Sequence, residues 1–259
     1  MDHKTVEKTF LSESGLELKG RFIVPGQKKN TYPVVVMLSG DGEHGCNSSS
    51  FSKLPNKLAK LGIASFLFDF EGLGHSDGKR DSLSLTIGLS NVSRAMAVVE
   101  KSDLIDFNRI GLFGSSFGGN IAVLYTQHSK KIRCLGLKSP VSFYPDSFLH
   151  EFGEKRLKNW LENIIDNEIG FKTNFYYDAL TYNTYKAASN ITCPCLITHG
   201  SNDEIVPISQ SIHLLNALTK SVEKKFVVFE GADHSYSNKE DWEEMATNFV
   251  SWFSRKLIT

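Results

Sequence analysis

Residues 114–118 read Gly-Ser-Ser-Phe-Gly, a G-x-S-x-G sequence whose central serine could act as a nucleophile. The sequence follows an apolar run at 109–113 and precedes another at 120–125, so we expect it at a turn from a strand into a helix. A serine hydroxyl attacks an acyl carbon only when a base activates it. The flanking glycines permit a tight turn that lifts Ser116 above the sheet, where the following helix offers N–H groups to a developing oxyanion. The pattern predicts acyl-transfer chemistry at Ser116.

Two later loops offer the base and the acid that such a serine needs. Each follows an apolar strand, and the first contains Asp203 while the second contains His234. Working groups in parallel α/β sheets gather beyond the carboxyl ends of the strands. Asp203 is favoured over Glu204 next door and over Asp233, because a residue adjacent to the histidine rarely folds back onto its ring. We therefore predict Ser116 as nucleophile, His234 as base and Asp203 as the acid that orients the base.

The elements that must position these residues alternate along the chain. Fully apolar strands are predicted at 33–38, 63–68, 109–113, 132–138, 193–198 and 225–229, and helices at 51–61, 86–100, 117–128, 208–219 and 239–256. This alternation indicates a parallel sheet covered on both faces. Residues 5–11 and 16–24 alternate in polarity and predict an antiparallel hairpin. The predicted fold class is therefore α/β, with a mostly parallel central sheet, helices on both faces and an N-terminal antiparallel hairpin.

Residues 140–190 interrupt the alternation and contain eleven aromatic residues. The stretch is too long for an ordinary connection, so we predict a cap inserted within a single domain that spans residues 1–259. Aromatic side chains would attach the cap to the body of the domain and would also line a slot above Ser116. Such a lining favours an apolar or aromatic acyl group.

Four segments together resemble the α/β-hydrolase superfamily, and the resemblance covers nearly the whole chain. They are the turn at Ser116, the loop with Asp203, Gly-Ala-Asp-His at 231–234, and Asp-Phe-Glu-Gly-Leu-Gly-His-Ser-Asp at 69–77. The order Ser, Asp, His matches that of the superfamily. The sequence is similar to small cinnamoyl/feruloyl esterases, monoglyceride lipases and serine aminopeptidases, with Glu71 in place of the arginine in their D-x-R-G-x-G-x-S run. The resemblance implies a serine hydrolase that cleaves carboxylic esters through an acyl-enzyme.

The same resemblance implies an oxyanion hole built from the backbone N–H groups of Phe117 and Asp41. Members of these families usually have His-Gly at the end of the third strand, whereas residues 39–42 here are Ser-Gly-Asp-Gly. A backbone donor tolerates a change of side chain. A carboxylate beside a developing oxyanion would raise its energy, so we expect the Asp41 carboxylate to point away or to pair with a cation.

Other functions remain open on the same residues. A serine aminopeptidase would use the same triad and would need a carboxylate for the amino group of its substrate, for which Glu151 or Glu154 could serve. An acyl-thioesterase or acyltransferase would differ mainly in the leaving group. A non-catalytic binding protein on the hydrolase fold is the contrasting class, and the complete triad argues against it.

Composition and charge give no sign of a nucleic-acid or membrane partner. The 29 basic and 29 acidic residues cancel, which argues against binding of nucleic acid or an acidic membrane surface. The first ten residues lack the apolar core of a secretory signal, and no apolar run has the length of a membrane span. We therefore expect a cytoplasmic enzyme with a small ester as substrate, and a homodimer stays open.

The remaining histidines and the cysteines do not have the spacing of a metal site, so no metal or cofactor is expected. The four cysteines are expected to be free thiols in a reducing compartment. His199 is expected to end its strand in the core, His75 to stabilise the glycine-rich turn, and His44 could line the mouth of the site.

Overall fold

In the computed structural model, which describes residues 3–27, 29–162, 166 and 169–258, strands and helices alternate along most of the chain. The strands are β1 (His3–Leu11), β2 (Glu17–Pro25), β3 (Tyr32–Leu38), β4 (Ala64–Phe68), β5 (Ile105–Ser115), β6 (Ile132–Lys138), β7 (Cys195–Gly200) and β8 (Lys224–Phe229). The helices are α1 (Ser49–Lys60), α2 (Leu85–Glu100), α3 (Phe117–Thr126), α4 (Tyr144–Leu161), α5 (Asn174–Leu180), α6 (Thr184–Ala188), α7 (Ile208–Ala217) and α8 (Lys239–Leu257). None of the helices in these ranges combines the length and apolar character needed to cross a membrane.

The strands form one sheet in the order β1-β2-β4-β3-β5-β6-β7-β8. The pairs β1–β2 and β2–β4 are antiparallel, and every other neighbouring pair is parallel. The predicted α/β fold class with its N-terminal hairpin is confirmed.

The interior strand β3 shows how the sheet divides the core. Every residue of β3 is buried, as expected for a strand covered on both faces. Val34, Val36 and Leu38 pack into the hydrophobic cluster on one face of the sheet. Val35 and Met37 alternate with them and join the cluster on the other face, which includes the aromatic side chains of α8.

Strand boundaries differ from the predicted ones where polar residues or proline obscure the pattern. β5 begins at Ile105 rather than 109, through the polar residues of Asp106–Arg109, and its pairing with β6 shifts register between Ile110 and Gly111. β7 begins at Cys195 rather than 193, after Pro194, which has no N–H for the sheet. Two short 3₁₀ helices, Gly45–Asn47 and Arg80–Ser82, are too short to leave a periodic signal.

The segment predicted as a cap, residues 140–190, contains α4, α5 and α6. Residues 163–165 and 167–168 of that segment lie outside the described residues. α4 bends at Gly153, whose φ of 74° and ψ of 161° suit glycine and interrupt the helix. Phe148 on α4 packs against Trp160 and Phe175, with ring centroids 5.4 and 5.8 Å away, and Phe175 reaches Phe117 of α3 at 6.2 Å. Aromatic contacts therefore attach this segment to the helix that follows Ser116.

Candidate active site

Ser116 lies at a strained turn between β5 and α3. Its φ of 53° and ψ of −117° place a non-glycine residue in a sparsely populated region of backbone space. A Cβ atom at Gly114 would lie 2.3 Å from the carbonyl oxygen of Gly118, and one at Gly118 would lie 2.4 Å from that of Leu38. The Ser116 N–H donates to the carbonyl of Lys138 at 3.0 Å, which helps to hold the turn. These contacts explain why glycine flanks the serine on both sides.

The loops after β7 and β8 bring Asp203 and His234 together. His234 Nδ1 lies 2.7 Å from Asp203 Oδ2, which is a short, charge-assisted hydrogen-bond distance. The other carboxylate oxygen, Oδ1, accepts the N–H groups of Ile205 at 3.0 Å and Val206 at 2.8 Å. Asp203 is therefore fixed from both sides, and its orientation leaves His234 Nε2 as the ring nitrogen for proton transfer.

His199 also contacts the Asp203 carboxylate, from the side of the core. It is fully buried, and its Nε2 lies 3.1 Å from Asp203 Oδ2 and 2.9 Å from the carbonyl of Val206. Because both neighbours only accept, Nε2 carries the proton, and Nδ1 accepts from the Ser211 hydroxyl at 2.7 Å. The prediction of a hydrogen-bonded core histidine is confirmed. Its contact with Asp203 was not predicted.

These contacts set the charge of Asp203. Burial by itself raises the pKa of the carboxyl, but hydrogen bonds from His199 and His234, the His234 charge and the Val206 N–H outweigh it and hold that pKa well below the usual range. Asp203 is therefore ionised throughout the neutral range and can stabilise a cation on His234.

The loop after β3 passes directly over the nucleophile. A Cβ atom at Gly40 would lie 3.3 Å from the Ser116 Cβ, so the backbone at 40–41 lies against Ser116. The Asp41 carbonyl accepts a hydrogen bond from Arg80 Nε at 2.8 Å. The Arg80 guanidinium also stacks on the Phe171 ring, 4.4 Å from its centroid. Arg80 thus contacts the main chain of Asp41, and the expectation that the Asp41 carboxylate points away or pairs with a cation stays a prediction.

Phe117 is the first residue of α3 and is fully buried. The first amides of a helix have no acceptor within the helix, so the Phe117 N–H makes no hydrogen bond inside α3. The position suits the predicted first donor to an oxyanion at Ser116.

A pocket of about 390 Å³ lies above this edge of the sheet. Ser116, His234, Asp41 and His44 all line it, so His44 does lie at the site. Its apolar lining comes from Phe51, Val141, Tyr144, Phe148, Phe152, Ile169, Phe171 and Ile205, most of them in the 140–190 segment.

The pocket also contains one of the two glutamates considered for binding an amino group. Glu151 lines it, whereas Glu154 is not among the lining residues. Desolvation of Glu151 and the charge of Asp41 raise the pKa of its carboxyl to about 7, against the lowering effect of Arg80. Near neutral pH this carboxyl therefore exists in both charge states.

The glycine-rich turn at 69–77 is stabilised mainly by Asp69 rather than by the His75 ring. Asp69 Oδ1 accepts the Cys46 N–H at 2.7 Å and Oδ2 accepts the His75 N–H at 3.0 Å. The His75 side chain is largely exposed, and its Nδ1 lies 3.3 Å from the Asn47 amide nitrogen. The acidic residue that opens the motif therefore ties the turn to the loop after β3.

The eight-stranded sheet, the strained serine turn and the loops that carry Asp203 and His234 define an α/β-hydrolase. Residues 49–258 match the model of the prolyl oligopeptidase family, and the chain belongs to that family of serine hydrolases.

The chain is also similar in sequence or in structure to several known proteins. The chain is 22% identical over 242 residues to the uncharacterized 31.7 kDa protein in the traX-finO intergenic region of Escherichia coli, covering 78% of this chain and 84% of that one. It is 26% identical over 240 residues to acylamino-acid-releasing enzyme 1 of Oryza sativa subsp. japonica, covering 88% of this chain and 30% of the enzyme. Est1E from Butyrivibrio proteoclasticus, solved with ferulic acid bound, has the same fold, with a TM-score of 0.82, 22% identity and coverage of 97% of this chain and 100% of that one.

Proposed function

We propose that the protein hydrolyses carboxylic esters through an acyl-enzyme on Ser116. One observation carries the proposal: a serine in a strained strand-to-helix turn shares a pocket with a histidine that is hydrogen-bonded to a buried carboxylate. Ser116 Oγ attacks the ester carbonyl while His234 Nε2 takes the hydroxyl proton, and Asp203 stabilises the resulting imidazolium.

The tetrahedral intermediate places its negative charge beside the start of α3. The N–H groups of Phe117 and Asp41 donate to this oxyanion. The closeness of Gly40 to Ser116, where an added Cβ would lie 3.3 Å from the serine Cβ, supports the placement of the second donor. The imidazolium then returns its proton to the departing alcohol as the C–O bond breaks. Water, deprotonated by His234, attacks the acyl carbon and releases the acid and the free serine.

The aromatic lining of the pocket supports an apolar or aromatic acyl group. Phe148, Phe152 and Phe171 line the pocket together with the nucleophile. Their rings provide a face on which a flat or extended acyl chain can pack. Est1E, a structure with the same fold, was solved with ferulic acid, an aromatic acid, which is in keeping with such a substrate.

Nitrophenyl esters with acetyl, octanoyl and cinnamoyl groups test the proposal. We expect measurable hydrolysis with a preference for the two larger acyl groups, and Ser116→Ala should lower kcat by about 10⁴-fold or more. Labelling by a fluorophosphonate should also require Ser116. Ser251→Ala, an exposed substitution on α8, is the matched control and should label like the wild type. A Ser116→Ala variant that keeps its activity would overturn the proposal, and a strict preference for acetyl would overturn the acyl-group assignment.

An aminopeptidase is the second candidate, because Glu151 lines the pocket. An ionised carboxylate there could bind the ammonium group of a peptide substrate. An aminoacyl nitroanilide and its N-acetylated form, assayed beside the esters, distinguish the two activities. Cleavage of the free-amino compound well above both the acetylated form and the esters would favour the aminopeptidase.

Two further outcomes address the other open functions. Turnover of acyl thioesters above that of the matched oxygen esters would favour a thioesterase, and transfer to an added alcohol would favour an acyltransferase. If no fluorophosphonate labelling occurs in the folded protein, the serine is not activated, and a binding protein on the same fold becomes the better description.

A further inference from the structure

A buried lysine lies between the nucleophile and the base, and the steps of ester hydrolysis described above do not use it. Lys138 is the last residue of β6, the strand between β5, which precedes Ser116, and β7, which precedes Asp203. The residue is only 4% exposed, and it lines the pocket that holds Ser116 and His234. Burial of an ammonium group costs free energy unless its contacts compensate. Its presence here therefore needs a physical reason.

Lys138 contacts both reacting partners of the proposed mechanism through their main chains. Its Nζ donates to the carbonyl of His234 at 2.9 Å and lies 5.0 Å from the centroid of the Tyr236 ring. Its own carbonyl accepts the N–H of Ser116 at 3.0 Å. A single residue thus connects the backbone of the nucleophile with the backbone of the base, across the intervening strand.

Backbone strain is concentrated around the same residue. Within the described part of the chain, the non-glycine residues with positive φ are Ser116 at 53°, Ser139 at 42° and Tyr236 at 57°. Ser139 follows Lys138 directly, and the other two adjoin its hydrogen-bond and ring contacts. Strained residues persist only where the surroundings hold them in place. The contacts of Lys138 are part of those surroundings on both sides of the site.

We propose that Lys138 is a positioning residue, whose ammonium group holds the main chain of His234 at the distance from Ser116 that proton transfer requires. The inference rests on the proposed hydrolase function of Ser116. A misplacement of about 1 Å in an active site can cost on the order of 10²-fold in rate. Since the lysine acts through the base rather than on the substrate, its loss should lower kcat and leave KM nearly unchanged.

The charge of Lys138 gives a second readout. Burial lowers the pKa of the ammonium to about 8, and the charges of Asp203 and Asp233 act in the opposite direction. The other titratable groups against it are His234, through its carbonyl, and the Tyr236 ring. The ammonium is therefore charged below pH 8 and becomes a neutral, weaker donor above it. We expect kcat to fall about threefold as the pH rises through that range.

Substitution of Lys138 tests the inference with a nitrophenyl ester as substrate. Lys138→Met should lower kcat by roughly 10- to 100-fold with KM within about twofold, while Tm stays the same or rises because a buried charge is removed. Lys138→Arg keeps a permanent cation, so it should retain more activity than Lys138→Met and lose the alkaline decline. The matched control is Lys131→Met, an exposed lysine just before the other end of β6, which should behave like the wild type.

Two results would overturn the inference: Lys138→Met with kcat within about twofold of the wild type, or a Lys138→Arg pH profile that still declines as in the wild type. The second result decides the matter even if Lys138→Met folds poorly. Failure of the underlying function is separate, since it would show as activity that survives Ser116→Ala. An inactive Ser116→Ala beside a fully active Lys138→Met would remove the role of Lys138 alone.

Discussion

The two sides of the pocket are built in different ways. On the sheet side, Asp203 accepts hydrogen bonds on both carboxylate oxygens, from loop residues beyond two strand ends and from His199 within β7. On the opposite side, Asp41 is connected to the 140–190 segment through Arg80, which stacks on Phe171. The first side depends on short polar contacts, and the second on one cation and an aromatic wall. The two sides should therefore respond differently to substitution.

The largest effect is expected on the sheet side, at Asp203. Asp203→Asn should lower kcat by about 10³- to 10⁴-fold, because the amide neither stabilises the imidazolium nor fixes its tautomer. Steady-state kinetics with a nitrophenyl ester measure the loss. The double variant with Ser116→Ala should be no less active than Ser116→Ala alone, since the residues act as a unit. A loss below about tenfold in Asp203→Asn would contradict the role of Asp203 as the acid that orients the base.

A smaller effect is expected on the opposite side, at Arg80. Arg80→Met removes the hydrogen bond to the Asp41 carbonyl, so the loop that carries the proposed second oxyanion donor loses a fixed point. We expect kcat to fall about 10- to 100-fold, in the range for weakening one oxyanion contact. The exposed neighbour Lys79 provides the control, as Lys79→Met removes a positive charge without that bond. Equal losses in the two variants would assign the effect to overall charge instead.

The smallest effect concerns the pH dependence at Glu151, whose carboxyl pKa is raised to about 7. Above that pH the group is ionised, and its charge adds to that of Asp41 on the side where the oxyanion develops. Glu151→Gln should therefore hydrolyse an uncharged ester faster than the wild type above pH 7 and equally fast well below it. We expect the ratio of the two rates to rise about two- to fourfold through that range.

The ratio of the Glu151→Gln rate to the wild-type rate is the useful measurement, because other titrating groups affect both proteins alike. Glu154→Gln is the matched control, since Glu154 does not line the pocket, and its ratio should stay flat. With an aminoacyl nitroanilide as substrate, the rate of Glu151→Gln relative to the wild type could instead fall as the pH rises. That result would favour binding of the substrate's amino group by Glu151.

Ser116, Asp203 and His234 could be predicted from the sequence because each of them carries a local signal. Ser116 lies within a glycine-flanked motif, and Asp203 and His234 each follow a short apolar run. The strand order that brings them together follows from the alternation of strands and helices. The structure agrees with the predicted elements to within a few residues at most ends.

Other contacts had no such signal. Arg80 lies in a 3₁₀ helix of three residues, and its partner Phe171 is 91 positions away. In the sequence, Lys138 is only the polar end of an apolar strand. Its contact with His234 depends on the position of β8, which lies two strands away from β6 in the sheet. Long-range pairings of this kind depend on how loops pack, which a single sequence does not reveal. The contact of Arg80 with Phe171 and that of Lys138 with His234 are therefore visible only in the structure.

The strand order has one further consequence. Ser116, Lys138, Asp203 and His234 extend from β5, β6, β7 and β8, which are consecutive neighbours in the sheet. Opening of any one of these four strands would displace a residue of the site, so the arrangement depends on this whole part of the sheet. In the proposed mechanism, turnover would then be lost when any one of the four strands opens.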